Sequence, residues 1–228
     1  MKHAGKAYLA AKRPFLWTLA LLGIILLAAK VAKLGGLLFL AISTGLMALW
    51  LLFTLFTLYF FRDPDPRVPE GAGLIVAPAH GKVDVVGETT EPEFMGGPCQ
   101  RISIFLSLFD VHVQNAPVHG KVAFFKHKHG QFLNALRTDC ASVNENVLIG
   151  FEPKERPAEK LGVRLVAGVL ARRIVPWIAA GDEVGRGERI SLIQFGSRVE
   201  VYLPPAAKIQ VKLGDKVTGG ETVIATFQ

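Results

Sequence analysis

The chain has 228 residues, half of them hydrophobic, with a mean hydropathy of +0.36 and a formal net charge of +7. Residues 1–62 carry Lys2, Lys6, Lys12, Arg13, Lys30, Lys33 and Arg62 and no acidic side chain, so all 19 acidic groups lie beyond them. The remainder is therefore charge-balanced, and the basic pI is no sign of nucleic-acid binding.

Taken in chain order, the first elements are apolar. Leu34 to Phe61 has no charged residue and is long enough to cross a bilayer. Pro14 to Ala29 is a second uncharged run, short for a full span, and reads as a thin or re-entrant helix. A hydrophobic helical hairpin over residues 1–62 is expected. Its flanking cations favour anionic headgroups at the cell membrane, with the following domain on the cytoplasmic side. A secretory signal peptide fits the first basic and apolar segments, but no small-residue cleavage site follows them.

Arg62-Asp63-Pro64-Asp65-Pro66-Arg67-Val68-Pro69 ends the helical region, because closely spaced prolines forbid helix continuation. From residue 63 to 228 the chain reads as one mainly β (α+β) domain. Strands are expected at Leu74–Ala77, Lys82–Val86, Arg101–Leu106 and Val111–Val113, and a polar loop at Lys154–Lys160. Leu161–Ile178 is ambiguous between strand and helix. Cys99 and Cys140 have neither metal-site nor disulfide-framework spacing.

Two internal echoes stand out. Ala77-Pro78-Ala79-His80-Gly81-Lys82-Val83 resembles Ala116-Pro117-Val118-His119-Gly120-Lys121-Val122, and Gly181-Asp182-Glu183-Val184 through Glu188 resembles Gly214-Asp215-Lys216-Val217 through Glu221. The second pattern is a turn device similar to those of biotinyl/lipoyl-type β-hammerheads. It suggests hammerhead-like elements without a carrier lysine at a hairpin tip.

Gly196–Ser197 lies between two strand-like segments near the C-terminus. At such a bond a serine hydroxyl can attack the preceding carbonyl, turning the amide into an ester. Elimination, followed by hydrolysis with loss of ammonia, then leaves a pyruvoyl group, an electrophilic ketone that no ordinary side chain offers. Lys126-His127-Lys128-His129 is a basic, histidine-rich tract whose alternate residues share a face of a strand. With no second ligand cluster evident in the sequence, it reads as a solvated or headgroup-facing edge, and no metal is assigned.

An ordered series of blocks resembles the phosphatidylserine decarboxylases of the short prokaryotic type. It runs through Phe60-Phe61-Arg62-Asp63-Pro64, Ala77–Gly81, Ile102–Val113, Gln131–Ala135, Ala141–Asn146, Ala171–Val175, Arg186–Ile190 and Phe195–Val199. The resemblance implies a proenzyme that cuts itself at Gly196–Ser197 into chains 1–196 and 197–228, which stay associated. Ser197 becomes the covalent pyruvoyl cofactor and forms a Schiff base with the amine of phosphatidylserine. The imine draws off the charge left when CO2 departs, the electron-sink role that many enzymes take from pyridoxal phosphate. His112 is implied as the acid that returns a proton to Cα.

The chain departs from the family pattern at two positions. His80 stands where the family has Asp, and Asn115 where longer bacterial members have a second His, so the family's self-cleavage triad does not carry over. His80 is the candidate base for activating Ser197, with His119 and Asp110 weaker ones. Arg172 and Arg173 are candidates for the lipid phosphate, since guanidinium groups pair bidentately with phosphate oxygens. A soluble pyruvoyl amino-acid decarboxylase would have no use for residues 14–61. A decarboxylase of another serine phospholipid, and a membrane-tethered hammerhead adaptor without catalysis, are the alternatives. A homo-oligomer is left open.

Overall fold

The computed structural model describes residues 2–31, 36–133, 143–168, 173–194 and 197–228. Two compact units emerge, one of Gly5–Asp63 and one containing Pro64–Gln228. The first is helical, with α1 at Lys6–Val31 and α2 at Gly36–Phe60. At 1.5 Å per residue each is roughly 38 Å long, more than the roughly 30 Å hydrocarbon core of a bilayer. The helix α1 thus starts well before the uncharged run at Pro14, so the short apolar stretch belongs to a full-length helix. Phe15 of α1 packs its ring 5.4 Å from that of Trp50 in α2. The hydroxyls of Ser43, Thr54 and Thr57 donate to the carbonyls of Leu40, Trp50 and Phe53. These back-bonds satisfy side chains that hydrocarbon would leave without partners.

The second unit is built of strands: β1 (Leu74–Val76), β2 (Gly81–Glu91), β3 (Gly97–Leu106), β4 (Val113–Asn115), β5 (Gly120–Lys128), β6 (Asn146–Pro153), β7 (Leu161–Ala167), β8 (Arg173–Pro176), β9 (Glu183–Val184), β10 (Arg189–Gln194), β11 (Ser197–Leu203), β12 (Lys208–Ile209), β13 (Lys216–Val217) and β14 (Val223–Thr226). Eight of them form one sheet in the order β13-β2-β3-β11-β7-β6-β5-β9, and two three-stranded sheets are ordered β4-β10-β8 and β1-β14-β12. The ambiguous stretch from Leu161 is therefore strand at both described ends, as β7 and β8. The expected strand at Val111–Val113 starts two residues later, at Val113, and the loop at Lys154–Lys160 separates β6 from β7. Cys140 lies outside the described residues.

Strand β11 is central and buried on both faces. Val199, Val201 and Leu203 point into the main apolar core with Ile102, Ile104, Val163 and Leu165. Arg198, Glu200 and Tyr202 occupy the opposite face, where each of the three side chains has a polar partner. Arg198 makes a two-pronged ion pair with Asp84 at 2.8 and 2.6 Å. Glu200 accepts from Tyr202 Oη at 2.6 Å and from Arg101 at 3.3 Å. Burial and the neighbouring Glu200 carboxylate push the Tyr202 phenol far above its ordinary pKa. This face is covered by the connection between β2 and β3, whose Phe94 ring lies over Gly150 so closely that a Cβ there would come within 2.6 Å of it. Glu91 fixes that connection by accepting from the backbone amides of Phe94 and Met95 at 2.8 and 2.9 Å. Cys99 sits beneath it, and burial pushes its thiol pKa up.

The two sequence echoes meet in space as one repeated interaction. Gly187 donates to the Ala116 carbonyl and Gly220 to that of Ala77; Gly181 donates to Val122 and Gly214 to Val83, all at 2.8 Å. In return Val122 and Val83 donate to Asp182 and Asp215, each at 2.9 Å. Each G-D turn thus clamps the start of one A-P-x-H-G strand, giving the domain an internal two-fold likeness. Left-handed backbone at Gly181, Gly187, Gly214 and Gly220 is what these turns require of glycine.

Candidate active site at the crossing of two sheets

Three strands of the large sheet are joined along the chain to the three strands of the β4-β10-β8 sheet. In the large sheet β11 lies between β3 and β7, and in the small sheet β10 lies between β4 and β8. The chain crosses from β3 to β4, from β7 to β8, and from β10 to β11. Because the strand order is the same on both sides, the described strand ends that flank these connections are neighbours, with Gln194 and Ser197 in the middle. Ser197 is the residue at which that middle connection re-enters the large sheet.

Ser197 pairs with Leu106 on β3 and with Ala167 on β7. It is fully buried, and its Oγ has no hydrogen-bond partner. A buried hydroxyl without a partner costs roughly 1–3 kcal/mol. An orphaned nucleophile at a strand entry fits a group destined for chemistry, and the small apolar surroundings of Leu106 and Ala167 fit the ketone that would replace it. Gly196 lies outside the described residues.

His112 is placed by the first crossing. After Leu106 the chain turns through Ser107–Asp110, where the Asp110 carboxylate accepts from the Ser107 amide at 2.8 Å and from its hydroxyl at 2.7 Å. His112 follows, fully buried, with Nδ1 2.9 Å from the Asp110 carbonyl. A carbonyl can only accept, so Nδ1 carries the hydrogen in this contact. The backbone is held from the other side too. The His112 carbonyl accepts from Ile193 N at 3.2 Å and from Gln114 Nε2 at 2.7 Å, and Gln114 in turn accepts from Ser191 Oγ at 2.7 Å. Ile193 is only four residues before Ser197. The polar partners Gln114 and Ser191, both buried, are site-supporting residues that the sequence did not single out. Their signal would have been polar side chains inside otherwise apolar strands.

Arg173 begins β8 opposite Gln194, the last residue of β10, so it stands exposed beside the middle crossing. Arg172 lies outside the described residues. His80 precedes Gly81 at the same end of the sheet, but on the far side of β3 from Ser197. Extending the pairing of Lys82 with Phe105 places Gly81 beside Leu106, and the His80 ring edge lies against Gly219. A Cβ on Gly81 would come 2.2 Å from the Phe105 carbonyl, at a φ of +150°, so only glycine lets the strand carrying His80 lie this close.

Asn115 is structural. Its amide donates to the Pro78 carbonyl and its side chain to that of Gly187, at 2.8 and 2.9 Å, joining the two repeated halves. His119 is exposed in the second half of the repeat, and the Asp110 carboxylate is occupied within its own turn. The tract at Lys126–His129 meets an acidic partner, Glu145, that the sequence did not connect with it: His127 Nε2 is 3.1 Å from Glu145 Oε1.

Comparison with known proteins bears on this arrangement. The family model of phosphatidylserine decarboxylase matches residues 53–225. A phosphatidylserine decarboxylase proenzyme from Symbiobacterium thermophilum is 45% identical over 170 residues, covering 75% of this chain and 78% of that protein. Proteins of the same name from Desulfotalea psychrophila and Syntrophus aciditrophicus are each 42% identical, over 77% and 76% of this chain and 81% of theirs. The matched span takes in all three crossings and every strand that brings Ser197 and His112 to them, and the chain belongs to the phosphatidylserine decarboxylase family.

Proposed function

We propose that this protein is a membrane-associated proenzyme of a pyruvoyl-dependent carboxy-lyase that converts phosphatidylserine to phosphatidylethanolamine and CO2. Residues 1–62 serve as its anchor and 63–228 as its decarboxylase domain. The observation that carries this reading is the buried, unpartnered Ser197 hydroxyl at the start of the central strand β11, four residues after Ile193, whose amide donates to the His112 carbonyl. Cleavage falls between Gly196 and Ser197. The pyruvoyl ketone, once formed, supplies an electrophile for the substrate amine and a sink for the electrons released with CO2.

The chain's own residues do the rest. Leu106 and Ala167 flank the reacting position and exclude water, so charge developing there is unscreened. His112, its tautomer fixed by the Asp110 carbonyl, delivers a proton from Nε2 to the substrate Cα. Arg173 meets the phosphodiester at the exposed side. Arg173→Ala is expected to raise KM by about tenfold with little change in kcat, the size of one charge-assisted hydrogen bond. The helical segment suits a substrate whose acyl chains stay in the bilayer, and the basic residues around it favour the cytoplasmic face.

Intact mass of the purified protein under denaturing conditions tests the reading. Two chains are expected, 1–196 and 197–228, the smaller with a blocked N-terminus and lighter than its serine-initiated form. A single full-length chain would mean an uncut module without catalysis. For the cut itself, His80 is the proposed base. His80→Ala is expected to slow appearance of the two chains on a denaturing gel by about 10²-fold or more; processing at the normal rate would assign the base elsewhere.

A further inference from the structure

We propose that His127, His129 and Glu145 form a binding site for one divalent late first-row metal ion, of which zinc is the type case. The argument starts from strand register. Strand β5 pairs with β6 through Lys128 opposite Asn146. One step further places His129 opposite Glu145, and His127 lies diagonally across on the same face. The candidate donor atoms of all three side chains lie within 4.8 Å of one another, and the two imidazole rings are 4.6 Å apart. A tetrahedral ion with bonds of about 2.0–2.1 Å holds its ligand atoms about 3.4 Å apart. Side-chain rotation alone can close that difference, since two of the three residues are exposed.

Charge and chemistry agree with this. Lys126 and Lys128 alternate onto the opposite face of β5. Lys126 is directed there by an ion pair with Glu93 at 2.9 Å, leaving the two histidines and one carboxylate to set the local field. Two imidazoles and a carboxylate select zinc, nickel, cobalt or copper over magnesium or calcium. Three protein ligands leave a fourth position open.

The location gives the site a neighbour of interest. Ala167 donates its amide to the Glu145 carbonyl at 3.0 Å and pairs directly with Ser197. Ser197, Ala167, Glu145 and His129 therefore form one row across the sheet, with Glu145 about 10 Å from Ser197 at two strand spacings. An ion held here would tie β5 to β6 at the level of the serine. It would act as a staple on the edge from which the reacting strand is supported.

The test uses the full chain, free of any polyhistidine tag, in detergent. Cobalt(II) titration is expected to give the visible absorption of a four-coordinate ion at one equivalent per chain, and zinc is expected to displace it. His127→Ala, His129→Ala and Glu145→Gln are each expected to weaken zinc binding at least about tenfold in calorimetric titration. Zinc should also raise the unfolding temperature of the parent protein and not that of His129→Ala. Lys128→Ala should bind as the parent does. Absence of saturable binding below about 1 mM, or binding unchanged in Glu145→Gln and His129→Ala, overturns the proposal. Glu145→Gln preserves shape, so it serves if a histidine variant fails to fold.

Discussion

Ser197→Ala is expected to yield one uncut chain of 24.8 kDa with no decarboxylase activity and a stability above that of the uncut parent precursor. The first two outcomes follow from the chemistry. Without the hydroxyl no ester forms, no chain break follows, and no ketone is made. The third follows from packing. The Ser197 Oγ is buried and without a partner, so its removal relieves a desolvation cost of roughly 1–3 kcal/mol, less the small loss of contact. Loss of function with a gain in stability is uncommon for a buried substitution, and mass spectrometry with thermal unfolding reads both. A variant that is cut normally would remove Ser197 from the mechanism. One that is uncut but unfolded would assign it a packing role.

His112→Asn separates making the cofactor from using it. Asparagine can keep a donor near the position of Nδ1, which preserves the bond to the Asp110 carbonyl. It has nothing to deliver a proton from the place of Nε2. The two chains should therefore still form, while decarboxylation of phosphatidylserine in mixed micelles falls by about 10²–10⁴-fold, the usual contribution of a positioned general acid. The loss should appear in kcat, because His112 is asked to act on a group that exists only after CO2 has left. An equal loss of processing would show that His112 serves the cut, and unchanged kcat would release it from the proton-return role.

The serine and the histidine were legible because each sits inside a run of residues with its own order along the chain. The arrangement that brings their segments to matching ends of the two sheets was not, since it depends on β3, β11 and β7 lying in the same order as β4, β10 and β8. Local pattern also misstates β11. Arg198-Val199-Glu200-Val201-Tyr202 alternates as a strand with one wet face would, yet Arg198, Glu200 and Tyr202 are all buried. The reason is remote. The connection between β2 and β3 folds over that face, and Asp84 and Arg101 come from other strands to neutralise it. Leu161–Ile178 was ambiguous for the same kind of reason. An apolar run buried on both sides carries no period, and here its flanking partners β6 and β11 select strand for β7. Glu145 likewise joins His127 and His129 only through the register of β5 on β6, which a spacing rule along the chain does not encode.

The middle position of β11 has a consequence for the lifetime of the enzyme. Its hydrogen bonds run to β3 on one side and β7 on the other, and both of those strands precede the proposed cut. A chain broken at Gly196–Ser197 therefore stays together, since the short piece is the centre of the sheet. What changes is the route back. The precursor refolds as one molecule at a rate independent of concentration. The cut protein, once unfolded, must find its missing strand by collision, and two dilute fragments seldom do. Maturation would thus convert a reversible fold into a one-way one, and the working enzyme would persist by unfolding slowly.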